Sequence, residues 1–316
     1  LHYPLRRQRQ MCIRDRDLCW IAVDWGSSNL RMWALNKKNE TLDSFSSNDG
    51  MLGLENDDFE PLLSDKISNW VSGKINIPIL CCGMVGAKQG WMEAPYATVP
   101  YSLMQETDNV KVICTDNRLD VRILGGLKQN DPADVMRGEE TQIRGFLSNF
   151  SNFDGIICLP GTHTKWVQVS AGEVISFRTF MSGELFALMS EYSVLKHSVN
   201  SDGWNYQEFN SAVSESISNP QKLFSDFFKI RADDLLNKVE KSVLRSKLSG
   251  YIIGTELAGA KPYWLGQNIV ILAKDDLSKV YKAALEGQGV FAQEVDATKC
   301  TLDGLTKAFS LIHGRY

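Results

Sequence analysis

Trp20-Ile21-Ala22-Val23-Asp24-Trp25-Gly26-Ser27-Ser28-Asn29-Leu30-Arg31-Met32-Trp33-Ala34-Leu35 is the stretch whose reading decides the fold. An apolar run ends in a carboxylate, small hydroxyl and amide residues turn the chain, and alternation resumes with Leu30, Met32 and Ala34 on one face and Arg31 and Trp33 on the other. The pattern predicts strand, turn, strand. Such a turn is either an ordinary hairpin or a phosphate-binding loop. In the second case Gly26 lets the backbone approach a ligand, the amides and the Ser27, Ser28 and Asn29 side chains donate to phosphate oxygens, and Asp24 holds hydrated magnesium.

A later stretch repeats the first in kind. Ile156-Ile157-Cys158-Leu159 runs into Pro160-Gly161-Thr162-His163-Thr164-Lys165, and alternation resumes with Trp166-Val167-Gln168-Val169. Two glycine-and-hydroxyl turns, each set between strands, predict a duplicated architecture with phosphate-binding loops facing each other. A Walker loop needs G-x-x-x-x-G-K-[ST] opening a helix, and a dinucleotide fingerprint needs G-x-G-x-x-G opening one. Strands follow both turns here, so neither nucleotide fold fits.

Between and after these turns the chain alternates strands and helices. A polar loop from Ser46 to Gly50 leads to a helix with Phe59, Leu62, Leu63, Ile67, Trp70 and Val71 on one side. Ile77 to Cys82 reads as a buried strand that empties into Gly83-Met84-Val85-Gly86-Ala87-Lys88-Gln89-Gly90-Trp91, a candidate substrate loop because ligands collect at the carboxyl ends of sheet strands. Val110 to Cys114 reads as a short strand, and the polar residues from Asp116 to Asp134 as the approach to a boundary. Asp134-Val135-Met136-Arg137-Gly138-Glu139-Glu140-Thr141-Gln142 reads as a helix start with its carboxylates in the first turn, where the helix dipole favours them. Glu173 to Phe177 is a further strand, followed by a helix with Leu185, Leu188, Met189 and Tyr192 on one face. Residues 200–248 read as mostly helical, with Phe224, Phe227 and Phe228 in the core. Gly250 and Gly254 then interrupt the helical periodicity and indicate close backbone approach. Ile269 to Leu272 is a strand, Asp275 caps a helix through Leu285, and Thr301 to Leu311 forms the last amphipathic helix.

The whole-chain numbers narrow the function. With 316 residues, 43% apolar and 23% charged, the composition is that of a globular protein of about two domains. A net charge of -4 leaves no diffuse positive field, which argues against nucleic acid as a partner. The seven cysteines are scattered without paired C-x-x-C spacing, so neither a zinc site nor a disulfide framework is indicated and a reducing cytoplasm is expected. No apolar run approaches the length of a membrane span. Arg6-Arg7-Gln8-Arg9-Gln10-Met11-Cys12-Ile13-Arg14-Asp15-Arg16 looks like the translation of a sequencing-library adapter, and residues 1–17 are set aside as a non-native segment.

With these pieces in place the chain resembles the actin-like ATPase superfamily of sugar kinases, and within it the 2-dehydro-3-deoxygalactonokinase family. The matching blocks are Val23 to Arg31, Gly83-Met84-Val85-Gly86 with Gly90-Trp91 and Ala94-Pro95-Tyr96, Val135 to Gln142, Pro160-Gly161-Thr162-His163 with Lys165-Trp166-Val167, and Phe177-Arg178-Thr179 with Gly183-Glu184-Leu185. The resemblance implies a two-lobed α/β fold of the actin-like, ribonuclease H-like kind, each lobe a mixed sheet flanked by helices. The expected lobes are 18–143, with the first phosphate hairpin and substrate loop, and 144–316, with the second phosphate hairpin and adenosine region. It also implies ATP-dependent transfer of a phosphoryl group to the terminal hydroxyl of 2-dehydro-3-deoxy-D-galactonate in galactonate breakdown. The expected cofactors are ATP and Mg2+, the partner a small sugar acid, the location cytoplasmic, and the assembly to test a homodimer.

Roles follow from the chemistry. Phosphoryl transfer is mainly positioning and charge neutralisation, so Asp24 with magnesium, the Gly26 to Asn29 turn and the Gly161-Thr162 turn are expected to hold the ATP phosphates, with Lys165 and Gly254 as further nucleotide-side candidates. A hydroxyl nucleophile needs a carboxylate base, for which Glu139 is the first choice and Glu140 and Asp134 are alternatives. The substrate carboxylate calls for cations, and Arg31, Arg137, Arg178 and Lys165 are candidates, each with a plain salt bridge as its competing role. Gly83, Met84 and Trp91 belong to the substrate loop, Trp91 either shielding the sugar chain or sitting in the core. His163 is read as a turn residue that hydrogen-bonds substrate or phosphate, not as a metal ligand. Lys274 stands where the family usually has glycine, and it either crowds the nucleotide or contacts it. The rivals are a phosphatase or ATPase of the exopolyphosphatase type and a non-catalytic sugar-acid sensor, which would usually carry a DNA-binding helix-turn-helix; nothing here resembles one.

Overall fold

The computed structural model describes residues 18–105, 107–274 and 276–314. The segment 1–17 and the expected cap Asp275 lie outside the described residues. The opening stretch forms β1 (Trp20–Trp25) and β2 (Leu30–Leu35), paired antiparallel with Asp24 opposite Arg31. They are followed by β3 (Thr41–Ser47), α1 (Phe59–Ile67) and β4 (Ile77–Cys82), the last parallel to β1 with Cys82 beside Asp24. Next come β5 (Tyr96–Thr98), β6 (Asn109–Lys111), β7 (Leu119–Leu124), β8 (Gly126–Asn130), β9 (Ala133–Met136) and α2 (Glu139–Asn149). The second half contains β10 (Gly155–Leu159), β11 (Thr164–Ser170), β12 (Glu173–Phe180), α3 (Ser182–Glu191), α4 (Tyr206–Ser218), α5 (Leu223–Ala232), α6 (Lys241–Gly259), β13 (Ile269–Ala273), α7 (Asp276–Glu286), β14 (Ala292–Asp296) and α8 (Ala297–His313).

The chain divides into two compact units. Residues 18–152 with 299–314 form one, around a sheet of order β3-β2-β1-β4-β7-β6, with β5-β8-β9 as a small separate sheet. Residues 153–298 form the other, around a sheet of order β12-β11-β10-β13-β14. The two sheets share one plan: two antiparallel pairings on one side of the central strand, β1 or β10, and two parallel pairings on the other. This repeated plan is the actin-like α/β architecture, and the duplication is read directly from the strand order.

Burial explains why β1 reads as an unbroken apolar run. Ile21, Val23 and Trp25 pack with Phe59, Leu63 and Ile67, while Trp20 and Ala22 pack with Leu305, Ala308 and Phe309 on the other face. A strand covered on both faces needs apolar residues at every position, and Asp24 at its end is the one exception. Helix α8 reaches the first unit through a close crossing with α2. A Cβ on Gly145 would come 1.8 Å from the Cys300 carbonyl oxygen, and one on Gly304 would come 1.9 Å from that of Thr141. The expected lobes 18–143 and 144–316 therefore divide the chain differently from these units, because backbone contact at two glycines ties 299–314 back to α2.

Several local expectations are corrected. The strand expected over Val110 to Cys114 is β6, shorter and shifted, and the stretch expected to be polar connection holds β7 and β8. Asp134 lies in β9, not at a helix start; the helix opens after Gly138, whose φ of 105° favours glycine. Gly250 and Gly254 do not interrupt a helix but sit within α6. Of the three phenylalanines on α5 only Phe227 is buried, while Phe224 is 83% exposed and Phe228 is 67% exposed. Leu188 and Tyr192 are likewise exposed rather than core.

Candidate functional site

In the first unit three chain segments meet at glycines. A Cβ on Gly83, at φ 94°, would lie 2.7 Å from the Trp25 carbonyl oxygen and 3.3 Å from Asp24 Oδ1, and one on Gly138 would lie 3.3 Å from the Gly83 Cα. The ends of β1 and β4 and the start of α2 are thus in backbone contact, and their polar side chains gather there. Asp24 Oδ2 accepts from Arg31 Nε at 2.9 Å and also from Nη2, while Oδ1 faces the Cys82 thiol at 3.8 Å. Burial raises the Asp24 carboxyl above its ordinary value against the pull of Arg31. Burial together with the charges of Asp24 and Glu140 pushes the Cys82 thiol well up, so it remains a neutral thiol.

The two glutamates at the start of α2 differ in setting. Glu140 is 2% exposed; Oε2 accepts the Gly138 N–H at 2.7 Å and Oε1 the Thr141 hydroxyl at 3.0 Å. Burial, and then the neighbouring Glu139 charge, push it up to about 7. Glu139 is half-buried and accepts the Arg137 N–H at 3.1 Å. Both carboxylates therefore satisfy backbone donors ahead of a helix that has no Ser, Thr or Asn cap.

The first turn is braced from behind. Its Gly26 N–H donates to the Asn29 carbonyl, and Met51 and Leu52 donate to the carbonyls of Gly26 and Ser27, each at 3.0 Å. Ser28 and Asn29 are exposed. A Cβ on Gly26 would meet only the Asn29 carbonyl oxygen at an ordinary 3.5 Å, and one on Gly161 would meet nothing within 4 Å. The fold needs glycine at 50, 83 and 183, where a Cβ would strike backbone, but not at 26 or 161. The space over those two turn glycines is left open.

In the second unit the Gly161 turn rests on the start of α3. A Cβ on Gly183 would come 2.2 Å from the Gly161 carbonyl oxygen, and Glu184 donates its N–H to Thr162 O at 2.9 Å. The exposed His163 pairs through Nε2 with Glu184 Oε2 at 2.6 Å. Beside this turn opens a cavity of about 840 Å³, floored by Gly161, Thr162 and Gly183 and walled by apolar and aromatic side chains including Phe186, Tyr206 and Ile253. Arg245, with its guanidinium 5.0 Å from the Phe186 ring, adds a cation to the wall. The sequence reading missed this cavity; its one signal is the Trp204-Asn205-Tyr206 cluster, in which the Asn205 side chain caps α4 by accepting the Glu208 N–H at 3.1 Å.

The remaining expected residues fall as follows. Arg31 is bonded to Asp24, its competing role. Arg137 is 7% exposed, lies 4.2 Å from the Tyr96 ring centroid, donates to the Ala94 carbonyl at 2.7 Å, and leaves Nη1 without a partner. Trp91 takes its competing place in the core, 6% exposed and stacked on Phe59 at 6.0 Å. Met84 is half-buried. Lys165 is buried in β11 opposite Leu159, and Arg178 is exposed on β12. Gly254 is spent on packing: its Cβ position lies 2.5 Å from the Val213 carbonyl oxygen of α4. Lys274 is exposed and is not part of the cavity wall, which takes Asp276 and Leu277 from the same region.

Among the described residues no group of three or more His, Cys, Asp and Glu side chains could hold a metal ion. Magnesium does not need one, since it keeps most of its waters and takes one or two carboxylates plus phosphate oxygens. Asp24 suits that mode, because Arg31 Nε and Nη2 both bond Oδ2 while Oδ1 faces a thiol, a poor partner. No helix among the described residues is long and apolar enough to cross a membrane.

Residues 24–308 match the model of a family described as 2-keto-3-deoxy-galactonokinase. The chain is 36% identical over 295 residues to the probable 2-dehydro-3-deoxygalactonokinase DgoK1 of Rhizobium meliloti (strain 1021), covering 92% of this chain and 96% of that protein. It is 31% identical over 273 residues to the 2-dehydro-3-deoxygalactonokinase of Escherichia coli (strain K12), covering 85% and 90%. A crystal structure from Sinorhizobium meliloti, assigned to the same activity, superposes with a TM-score of 0.86 at 35% identity, covering 93% of this chain and 97% of that one.

Proposed function

The chain belongs to the 2-keto-3-deoxy-galactonokinase family, and from that premise we propose which of its residues carry ATP-dependent phosphorylation of the terminal hydroxyl of 2-dehydro-3-deoxygalactonate. The observation that carries the assignment is the open space over Gly26 and Gly161, two glycines the fold itself does not require, at the same place in two sheets of the same plan. Backbone amides there can approach phosphate without a side chain intervening.

The Gly26 to Asn29 turn and the Gly161-Thr162 turn each hold ATP phosphate oxygens. The cavity beside Gly161 takes the adenosine, its apolar walls burying the base and its polar groups orienting it. Asp24, through Oδ1, holds hydrated magnesium, which when bound neutralises phosphate charge; Arg31 fixes that carboxylate's orientation from the Oδ2 side. Glu139 takes the proton of the attacking hydroxyl. It is preferred over Glu140, because Glu140 is fully enclosed and both its oxygens are already engaged. Arg137 stands behind the loop at Ala94 and Tyr96 and holds it in place. The enzyme acts in the cytoplasm on a small sugar acid. Family membership leaves the exopolyphosphatase-type and sensor alternatives without support.

A coupled ADP-release assay tests this reading. Substrate-dependent ADP is expected with 2-dehydro-3-deoxygalactonate, and a wider panel of sugar acids ranks the stereochemistry. No ADP release above background with any sugar acid would sink it.

A further inference from the structure

Glu256 is 3% exposed in the last turn of α6 and is surrounded by donors. Oε1 accepts from Trp166 Nε1 at 2.8 Å and Oε2 from the Tyr281 hydroxyl at 2.8 Å. The Tyr281 oxygen is in turn 2.7 Å from Thr164 Oγ1, and the hydroxyls of Ser182 and Thr164 also reach the carboxyl. A carboxylate accepts only, so Tyr281 spends its proton on Oε2 and Thr164 donates to the Tyr281 oxygen, which links β11, α3 and α7 through one carboxyl. Such a filled network in low dielectric holds its members to one geometry.

What the network joins is informative. Thr164 begins β11, directly after the Gly161-Thr162-His163 turn. Ser182 begins α3, whose next residue, Gly183, approaches the Gly161 carbonyl so closely that a Cβ there would lie 2.2 Å from its oxygen. Ser182 and Tyr281 also line the 840 Å³ cavity, whereas Glu256 itself does not. The base of the network is stiff, because α6 crosses α4 at backbone contact: Cβ positions on Gly250 and Gly254 lie 2.5 Å from the carbonyl oxygens of Phe209 and Val213.

We propose that Glu256 is a positioning residue: it fixes the Gly161 turn relative to the cavity by tying the strand after the turn and the helix beneath it to the cavity wall. It touches no reacting atom. The proposal rests on the reading that the cavity and this turn serve the nucleotide, so its signature is a change in ATP affinity.

The test compares Glu256→Gln, Glu256→Ala, Glu256→Asp and Tyr281→Phe in steady-state kinetics with both substrates varied, with ADP binding followed by intrinsic fluorescence and thermal melting in parallel. Glu256→Ala and Tyr281→Phe are expected to raise the KM for ATP about tenfold or more while leaving the KM for the sugar acid within about twofold. Glu256→Asp, one methylene short, behaves like the alanine variant. Glu256→Gln rescues, because its amide oxygen keeps Trp166, an obligate donor, while Tyr281 can accept from the amide nitrogen and turn its proton to Thr164. Tyr281→Phe removes a single oxygen and carries the test where Glu256→Ala fails to fold. An unchanged ATP KM in Tyr281→Phe and Glu256→Asp overturns the proposal, as does a parallel rise in both KM values that tracks lost melting temperature. A separate variant, Val280→Trp, fills the cavity; if it binds ADP like the wild type, the nucleotide reading of the cavity fails whatever the Glu256 variants do.

Discussion

The Arg31 guanidinium is bonded through both Nε and Nη2 to a single oxygen of Asp24, Oδ2. The two residues face each other across the β1–β2 ladder at the mouth of the first turn, so the hairpin register itself sets the pair. Asp24→Asn is expected to cut turnover by about a hundredfold or more, the range for losing one charged group from a preorganised phosphate site. Arg31→Met leaves Asp24 unpaired and half-enclosed, and should raise the magnesium concentration needed for half-maximal rate while lowering the melting temperature by a few degrees. Magnesium titrations of the two variants check both outcomes, and an unaltered magnesium dependence in Asp24→Asn would remove Asp24 from the metal's coordination.

Glu139 and Glu140 are adjacent, but Glu140 is 2% exposed with both oxygens bonded while Glu139 is half-buried, and the proposal gives Glu139 the role of base. Glu139→Gln should lower kcat about a hundredfold or more with little change in either KM, the loss expected for general-base catalysis. Glu140→Gln should cost less, because an amide oxygen can still accept the Gly138 N–H at the start of α2. Single-turnover kinetics of the two variants decide the order, and a larger loss in Glu140→Gln would transfer the role.

The glycines separate structural from ligand roles. Gly183→Ala puts a methyl 2.2 Å from a carbonyl oxygen and should lower the melting temperature markedly. Gly161→Ala and Gly26→Ala meet no such obstacle, so they should melt near the wild type yet bind ADP several-fold more weakly. Calorimetric melting with and without ADP checks this: equal ADP protection of wild type and Gly161→Ala would mean that no ligand approaches that backbone.

Both hairpins were legible in the sequence because an apolar run, a small polar turn and renewed alternation leave few other readings, and their recurrence made the duplicated plan legible too. Leu119-Asp120-Val121-Arg122-Ile123-Leu124 alternates as β7, yet its interleaved charges resemble a polar connection when only composition is weighed. In sequence Asp134 reads as part of the helix start because it lies close to Glu139, and only the positive φ of Gly138 shows where α2 opens. The cavity could not be read at all. Its walls come from α3, α4, α6 and α7, and spacing along one chain does not reveal which faces of four helices converge. Gly254 shows the same limit, since close approach was readable but not whether the approaching group was a ligand or α4.

Glu140 also makes a prediction about stability. Its folded-state value of about 7 lies above the ordinary 4.5, so folding favours the protonated form. The contribution of Glu140 is therefore fully present below about pH 4.5 and is lost as pH rises through 7. Other groups titrate over the same window, and subtracting the Glu140→Gln curve isolates this one. At pH 4 the variant and the wild type should be nearly equal in unfolding free energy, since glutamine mimics the protonated acid. By pH 8 the variant should be the more stable, by up to about 3 kcal/mol if the whole shift is expressed and less where the buried carboxylate relaxes. Urea unfolding of both proteins at intervals from pH 4 to pH 8 measures the difference, and a flat difference curve would show that Glu140 is ionised as easily in the folded chain as in the unfolded one.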